Sequence, residues 1–189
     1  MISRLWLIPA IGAASLFAQN KPIDVQRSSI TIHVGKTGIF SGAGHEHWVN
    51  APIASGSLNE SGTPHVEFKV AAARMQVKPD AKASAKDQAQ IQADMQEKVL
   101  ESSRYPEIVF KSTSATKTGE GQWRVEGTLT LRGVTQPVAA NVTKKGDAYI
   151  GQAAIRQTAF GIKPISAGGG TVKVKDELQI TFHIVAGAA

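Results

Sequence analysis

Two of the five histidines in this chain stand close together, as His45 and His47 in the segment "GAGHEHWVN". In an extended strand, residues two apart point to the same side, so both imidazoles would face one way. Imidazole nitrogens are common ligands of zinc and copper, but either ion needs at least a third ligand. The pair therefore indicates either a metal site completed from another strand or a polar segment at the end of a strand.

Patterns typical of catalytic centres are missing from the sequence. Ser41 lies near His45, but "FSGAGH" is not the G-x-S-x-G turn that presents a nucleophilic serine. The segment "GHEH" lacks the H-E-x-x-H spacing of helical metalloprotease sites. The run "AGGG" is not followed by the helix of a phosphate-binding loop. We therefore expect a protein that is not an enzyme and has no cofactor.

The first residues are typical of an export signal. Arg4 precedes the apolar run from Leu5 to Phe17, and the chain turns polar at Gln19. This run is shorter than the roughly 20 residues that span a membrane. We predict a signal peptide over 1–18, with an uncleaved anchor as the alternative, and one domain over 19–189 in the periplasm or secreted. The chain has no cysteine, so neither a lipidated cysteine nor a disulfide is available.

The net charge of +6 is spread along the chain. No run of arginines and aromatic residues suggests nucleic-acid binding. A basic surface on an exported protein favours contact with anionic membrane headgroups, or has no specific partner.

A period of two dominates the rest of the sequence. Apolar and polar residues alternate in "SSITIHV", "HVEFKVAA", "QWRVEGTLTL" and "LQITFHIVA". Turn-forming segments separate these stretches, among them "NESGTP", "KTGEGQ" and "KKGDA". Alternation over short segments between turns predicts antiparallel strands with one buried face, hence a sandwich or a barrel.

One segment, 84–103, has helical periodicity instead. Ile91, Met95 and Val99 recur at every fourth position, and Ser84 stands where it can cap the first turn. The Tyr105-Pro106 step is expected to end the helix, because the residue before proline avoids helical geometry. A single helix in a β-rich chain is expected to cover an open end or face of the barrel.

Three segments follow one another in the second half of the chain: "MQEKVLESSRYPEIVFKS" at 95–112, "VEGTLTLRGVTQPVAANV" at 125–142 and "AAIRQTAFGI" at 153–162. Together and in this order they resemble the YceI-like family of exported bacterial proteins. The closing "DELQITFHIVA" is similar to the family's last strand, and the resemblance covers 23–186. The sequence departs from the family near its start. The family usually has a histidine-serine pair early in the first strand, whereas here that strand reads "RSSITIHVGKTGIFSGAG" and a histidine pair follows in "HEHW".

The resemblance implies a mainly β fold, an antiparallel lipocalin-like barrel of about eight strands with one amphipathic helix. It also implies an isoprenoid or fatty acyl lipid held inside the barrel. Arg156, beside "AFGI", is the candidate for binding a headgroup. The residues expected to face the lipid from the barrel interior are Phe68, Val70, Trp123, Val125, Leu129, Leu131, Gly151, Ala153, Ile155, Phe160, Ile180 and Phe182.

Small residues decide whether such a barrel has room for a ligand. "AYIGQAAI" contributes Gly151, Ala153 and Ala154, and "VAANV" adds Ala139 and Ala140. A barrel of this size either fills itself with side chains or holds one small ligand. Three hypotheses stay open: a lipid carrier, a metal-binding protein using His45 and His47, and a stress-response or partner protein with a filled barrel.

Overall fold

The computed structural model describes residues 20–38, 46–167 and 172–188, and the alternating segments lie in one antiparallel sheet. The strands are β1 (Lys21–Pro22), β2 (Ser29–Thr37), β3 (His47–Asn50), β4 (Ile53–Asn59), β5 (His65–Ala71), β6 (Gln76–Val77), β7 (Glu107–Gly119), β8 (Gln122–Leu131), β9 (Val134–Lys145), β10 (Ala148–Arg156), β11 (Ser166–Ala167) and β12 (Val172–Val185).

The sheet order is β1-β4-β5-β7-β8-β9-β10-β12-β2-β3-β6, and β11 pairs with β12. The sheet curls into a half-barrel, and Ile23 links its two sides at one end. The Ile23 amide donates to the Gly56 carbonyl at 2.9 Å, while Ile23 also forms an isolated bridge with Ala186 of the chain end. The mainly β, antiparallel barrel architecture is confirmed. The described residues form twelve strands rather than about eight, because four strands have only two to four residues.

The turn between β8 and β9 accounts for the "LRGV" segment. Arg132 has a φ of 52° and Gly133 a φ of 73°, so both turn residues are left-handed. A two-residue turn of this kind matches the twist of the flanking strands. The Arg132 guanidinium reaches back to Glu101 and forms an ion pair with it. The hairpin tip is thereby tied to the chain segment that follows the helix.

The predicted helix is α1 (Ala85–Asp94), which continues as a π-helical turn over Met95–Val99. The Ser84 hydroxyl accepts a hydrogen bond from the Asp87 amide at 3.1 Å, as the capping pattern predicts. The expected end at Tyr105-Pro106 is wrong. The helix ends earlier, since Glu101 has a φ of 46° and this left-handed residue reverses the chain.

The predicted signal peptide lies outside the described residues. Among the residues that the structure does describe, no helix combines the length and the apolar character needed to cross a membrane.

Candidate ligand-binding cavity

The curled sheet and the helix enclose a cavity of about 350 Å³. Its wall consists almost entirely of aliphatic and aromatic side chains from the inner faces of the strands. Ile91, Met95 and Val99 of the helical segment also line it, so the helix covers the cavity as its periodicity predicts. Ligand sites in proteins span about 300–1,000 Å³, and this cavity falls within that range. The interior is therefore not filled by side chains.

The room in the cavity comes from small residues at one level of the barrel. Ala115 pairs with Val125, Val125 with Ala140, and Ala140 with Ala153 on neighbouring strands. All four side chains line the cavity. Because three of them are methyl groups, the wall at this level stays far from the centre. We name Ala115, Val125, Ala140 and Ala153 the alanine level.

Most of the residues predicted to face a ligand do line the cavity, although lipid contact by any of them stays a prediction. The ten on its wall are Phe68, Val70, Trp123, Val125, Leu129, Leu131, Ala153, Ile155, Ile180 and Phe182.

Gly151 faces inward but does not leave open space. A Cβ atom added to Gly151 would meet the Phe182 ring and the Asn141 carbonyl oxygen, each at 2.5 Å. The aromatic ring of the neighbouring strand therefore covers the glycine. The small residue is needed for this close approach, and the ring takes the volume that the sequence seemed to leave for a ligand.

The structure places Phe160 and Arg156 away from the cavity wall. The strand ends at Arg156, and Phe160 lies in the following 3-10 turn, where it is 2% exposed within the core. Arg156 is exposed, with Glu177 directly across from it on the neighbouring strand. The alternation that turns Ile155 inward turns Arg156 outward, and contact of Arg156 with a headgroup stays a prediction.

Only one histidine of the "HEH" segment can be placed, because His45 lies outside the described residues. His47 lines the cavity, and Trp48 points outward with 45% of its surface exposed. Trp48 stacks on His33 with ring centroids 4.3 Å apart, and His33 bonds Glu46 at 2.9 Å. Within the described ranges, no three histidine or acidic side chains come close enough to hold a metal ion.

The sequence reasoning missed a group of polar residues at the end of the cavity opposite the helix. Glu60, His65 and Tyr149 line this end, and Lys144 forms an ion pair with Glu60. We name these four residues the polar end. Period-two alternation also predicts an inward-facing Tyr149, because it precedes Gly151, Ala153 and Ile155 on the same face of β10. Glu60 sits in a turn, where alternation gives no information.

The surroundings at the polar end shift the pKa values of both Glu60 and Tyr149. Burial, the largest single effect, opposes ionisation of Glu60, but the hydrogen bonds from Lys144 and Tyr149 and the charges of Lys144 and Lys21 together outweigh it, and the pKa of the carboxyl is lowered. Burial, followed by the hydrogen bond to Glu60 and the charge of Glu60, raises the pKa of Tyr149 well above its usual value. At neutral pH the glutamate is therefore ionised and the tyrosine keeps its proton.

Taken together, the cavity is suited to an apolar ligand. Its long wall offers dispersion contacts and removes hydrocarbon from water, and Glu60, His65 and Tyr149 supply hydrogen-bonding groups at one end. Such a site binds by burial and needs no reactive group.

The solved structures that resemble this chain show the same fold. BcnA from Burkholderia cenocepacia matches with a TM-score of 0.57 and 19% identity, covering 87% of this chain and 99% of BcnA. A polyisoprenoid binding domain from Saccharophagus degradans, implicated in plant cell wall breakdown, matches with a TM-score of 0.60 and 13% identity. That match covers 88% of this chain and 98% of the domain.

Sequence relatives cover a smaller part of the chain. A UPF0312 protein of Pseudomonas syringae pv. tomato is 34% identical over 44% of this chain and 47% of its own length. A second, from Pseudomonas savastanoi pv. phaseolicola, is 33% identical over the same shares. The chain thus spans about half the length of the curated relatives it matches. The YceI-like domain, in contrast, matches residues 22–186, and the chain therefore belongs to the YceI-like family.

Proposed function

We propose that this protein is an exported carrier that holds an isoprenoid or fatty acyl chain inside its barrel. The observation that carries the proposal is the unfilled apolar cavity of about 350 Å³. Each methylene group moved from water into such a cavity contributes about 0.8 kcal/mol. The structural resemblance to a polyisoprenoid binding domain supports the same class of ligand.

Lipid extraction from the native protein tests this proposal. The protein is purified from its own host without detergent, extracted with organic solvent, and the extract is analysed by mass spectrometry. We expect one class of isoprenoid or acyl lipid in near-stoichiometric amount. A variant with a filled cavity, Ala153→Phe, purified in parallel, should lack it. Equal amounts of lipid in both proteins would mean that the lipid does not come from the cavity.

Export is part of the proposal and rests on the leader pattern of Arg4 and the apolar run that follows. N-terminal sequencing of the protein from its host should find a mature chain that begins near Gln19. An intact Met1 in the membrane fraction would contradict this and favour an uncleaved anchor. Binding of the mature protein to vesicles with and without anionic lipid measures the expected contact with membrane headgroups.

A further inference from the structure

The hydroxyl of Tyr149 has no well-aligned hydrogen bond to the described residues, although the Glu60 carboxylate interacts with it. Its ring lines the cavity, while the oxygen is shielded from water. Two other buried side-chain atoms in the described ranges share this condition, one in Gln96 and one in Arg132. Both of those side chains bond through their other polar atoms. Tyr149 thus stands out because its single polar atom lacks a well-aligned hydrogen bond, and leaving a buried group unsatisfied costs about 1–3 kcal/mol.

A neighbouring ion pair fixes the charge around this hydroxyl. Glu60 follows β4 and Lys144 lies in β9, and three strands separate β4 from β9 in the sheet order. Their ion pair therefore crosses the end of the barrel. The two side chains are 30% and 32% exposed, so water reaches the pair only in part.

Ligands of different charge would meet this end differently. A purely hydrocarbon end would add no partner for the Tyr149 hydroxyl. A carboxylate or phosphate end would lie beside the ionised Glu60, which repels it and already occupies the Lys144 ammonium group. A hydroxyl or carbonyl end can bond the tyrosine and leave the ion pair intact.

We propose that the polar end selects apolar chains that terminate in a neutral hydrogen-bonding group, a hydroxyl or a carbonyl, over chains with an anionic end. Tyr149 provides the hydrogen bond to the end group. Glu60 keeps Lys144 from attracting anions. This inference rests on the proposed function, since it assigns the end group of the chain that the cavity holds.

Calorimetric titration with two probes of equal chain length, 1-dodecanol and dodecanoate, tests the selection at mildly alkaline pH. Wild type should bind 1-dodecanol at least about five-fold more tightly than dodecanoate, which is the effect expected of one additional hydrogen bond. Tyr149→Phe should weaken alcohol binding by about five-fold and leave dodecanoate within about two-fold. Glu60→Gln removes the charged partner of the Lys144 ammonium. This change should reduce or reverse the preference for 1-dodecanol over dodecanoate.

The other tyrosine of the chain provides the matched control. Tyr105 packs against Gly133 at the hairpin between β8 and β9, where the helical segment is tied down. Tyr105→Phe removes an equivalent hydroxyl and should leave both affinities unchanged. Tyr149→Phe keeps the ring and removes only a poorly aligned contact with Glu60, so its thermal midpoint should stay close to that of wild type.

The outcomes separate the two proposals. If wild type binds the alcohol and Tyr149→Phe binds it equally well, the selection by the polar end is overturned while chain binding stands. Preference of wild type for dodecanoate would also overturn it. If wild type binds neither probe, the result counts against the proposed carrier function itself.

Discussion

Ala153 and Gly151 are neighbours on the inner face of β10, yet their surroundings differ. Ala153 belongs to the alanine level and borders open space in the cavity, whereas Gly151 lies beneath the ring of Phe182. Enlarging Ala153 and Gly151 separately can therefore distinguish a residue that borders open space from one in a packed contact.

Ala153→Phe should block the cavity without unfolding the protein. The added ring enters unfilled space, so we expect binding of 1-dodecanol to weaken by about ten-fold or more. The free energy of unfolding should change by less than about 1 kcal/mol, because overpacking costs about 1–3 kcal/mol only where a core is filled. Calorimetry and urea unfolding on the same samples measure both effects. Large destabilisation without loss of binding would show that the alanine level is packed.

Gly151→Leu should instead destabilise the protein. Its Cβ atom alone would lie 2.5 Å from the Phe182 ring and from the Asn141 carbonyl oxygen. The ring would have to leave its place on the wall, and we expect a loss of about 1–3 kcal/mol in the free energy of unfolding. Urea unfolding measures it, with Ala153→Phe as the comparison. A stability equal to wild type would contradict the close packing.

At the scale of elements, the helical segment is held over the cavity by glutamines as well as by its apolar face. The Gln92 side chain accepts from the Val77 amide at 2.8 Å and donates to the Met75 carbonyl at 3.0 Å. Gln96 donates to the Ala72 carbonyl at 3.1 Å and to the Met75 carbonyl at 3.0 Å. No residue of α1 itself is fully buried. The helix is therefore attached chiefly to the segment 72–77.

Replacing both glutamines with alanine should loosen the helix. Each hydrogen bond contributes about 0.5–1.5 kcal/mol, so amide exchange over 85–99 should accelerate by at least about ten-fold. Gln90→Ala is the control, because Gln90 is exposed and bonds only Asp94 of its own helix. Hydrogen exchange followed by mass spectrometry measures the difference. Unchanged exchange in the double variant would mean that the apolar face alone seats the helix.

At the scale of the whole molecule, ion pairs join parts of the barrel that are distant in sequence. The pair of Lys144 and Glu60 links residues 84 positions apart at one end, and Arg132 bonds Glu101 near the end of the helix. The chain has no cysteine, so no disulfide supplements these links. The barrel depends on its apolar core and on such contacts.

Lowering the pH should weaken the stabilising contact between Glu60 and Lys144. Because the folded state lowers the pKa of Glu60 below its ordinary value of 4.5, this contribution is present above that pH. It is lost as the pH falls through the folded-state pKa. The stability difference between wild type and Glu60→Gln should therefore shrink on acidification. Urea unfolding from neutral pH to about pH 3 measures it. Glu120→Gln, at an exposed turn residue, is the control and should show no such trend.

The alternating strands, the inner face of the wall and the helix that covers it could be predicted from local sequence patterns. Period-two alternation is a local property, since each residue turns to the side opposite its neighbour whatever the strand pairs with. Ten residues chosen in this way line the cavity. The family pattern agrees, with the YceI-like match over 22–186.

The residues that meet at the ends of the barrel, and the room inside it, could not be predicted from such patterns. Glu60, Lys144 and Tyr149 meet because the sheet curls and brings two distant turns together, and no local pattern encodes that approach. The ring of Phe182 covers Gly151 because β10 and β12 pair in that register. The helix ends at a left-handed Glu101, a residue type that gives no sequence signal for such a turn. Alternation fixes which way a side chain points, whereas the partner it meets depends on contacts between strands far apart in the chain.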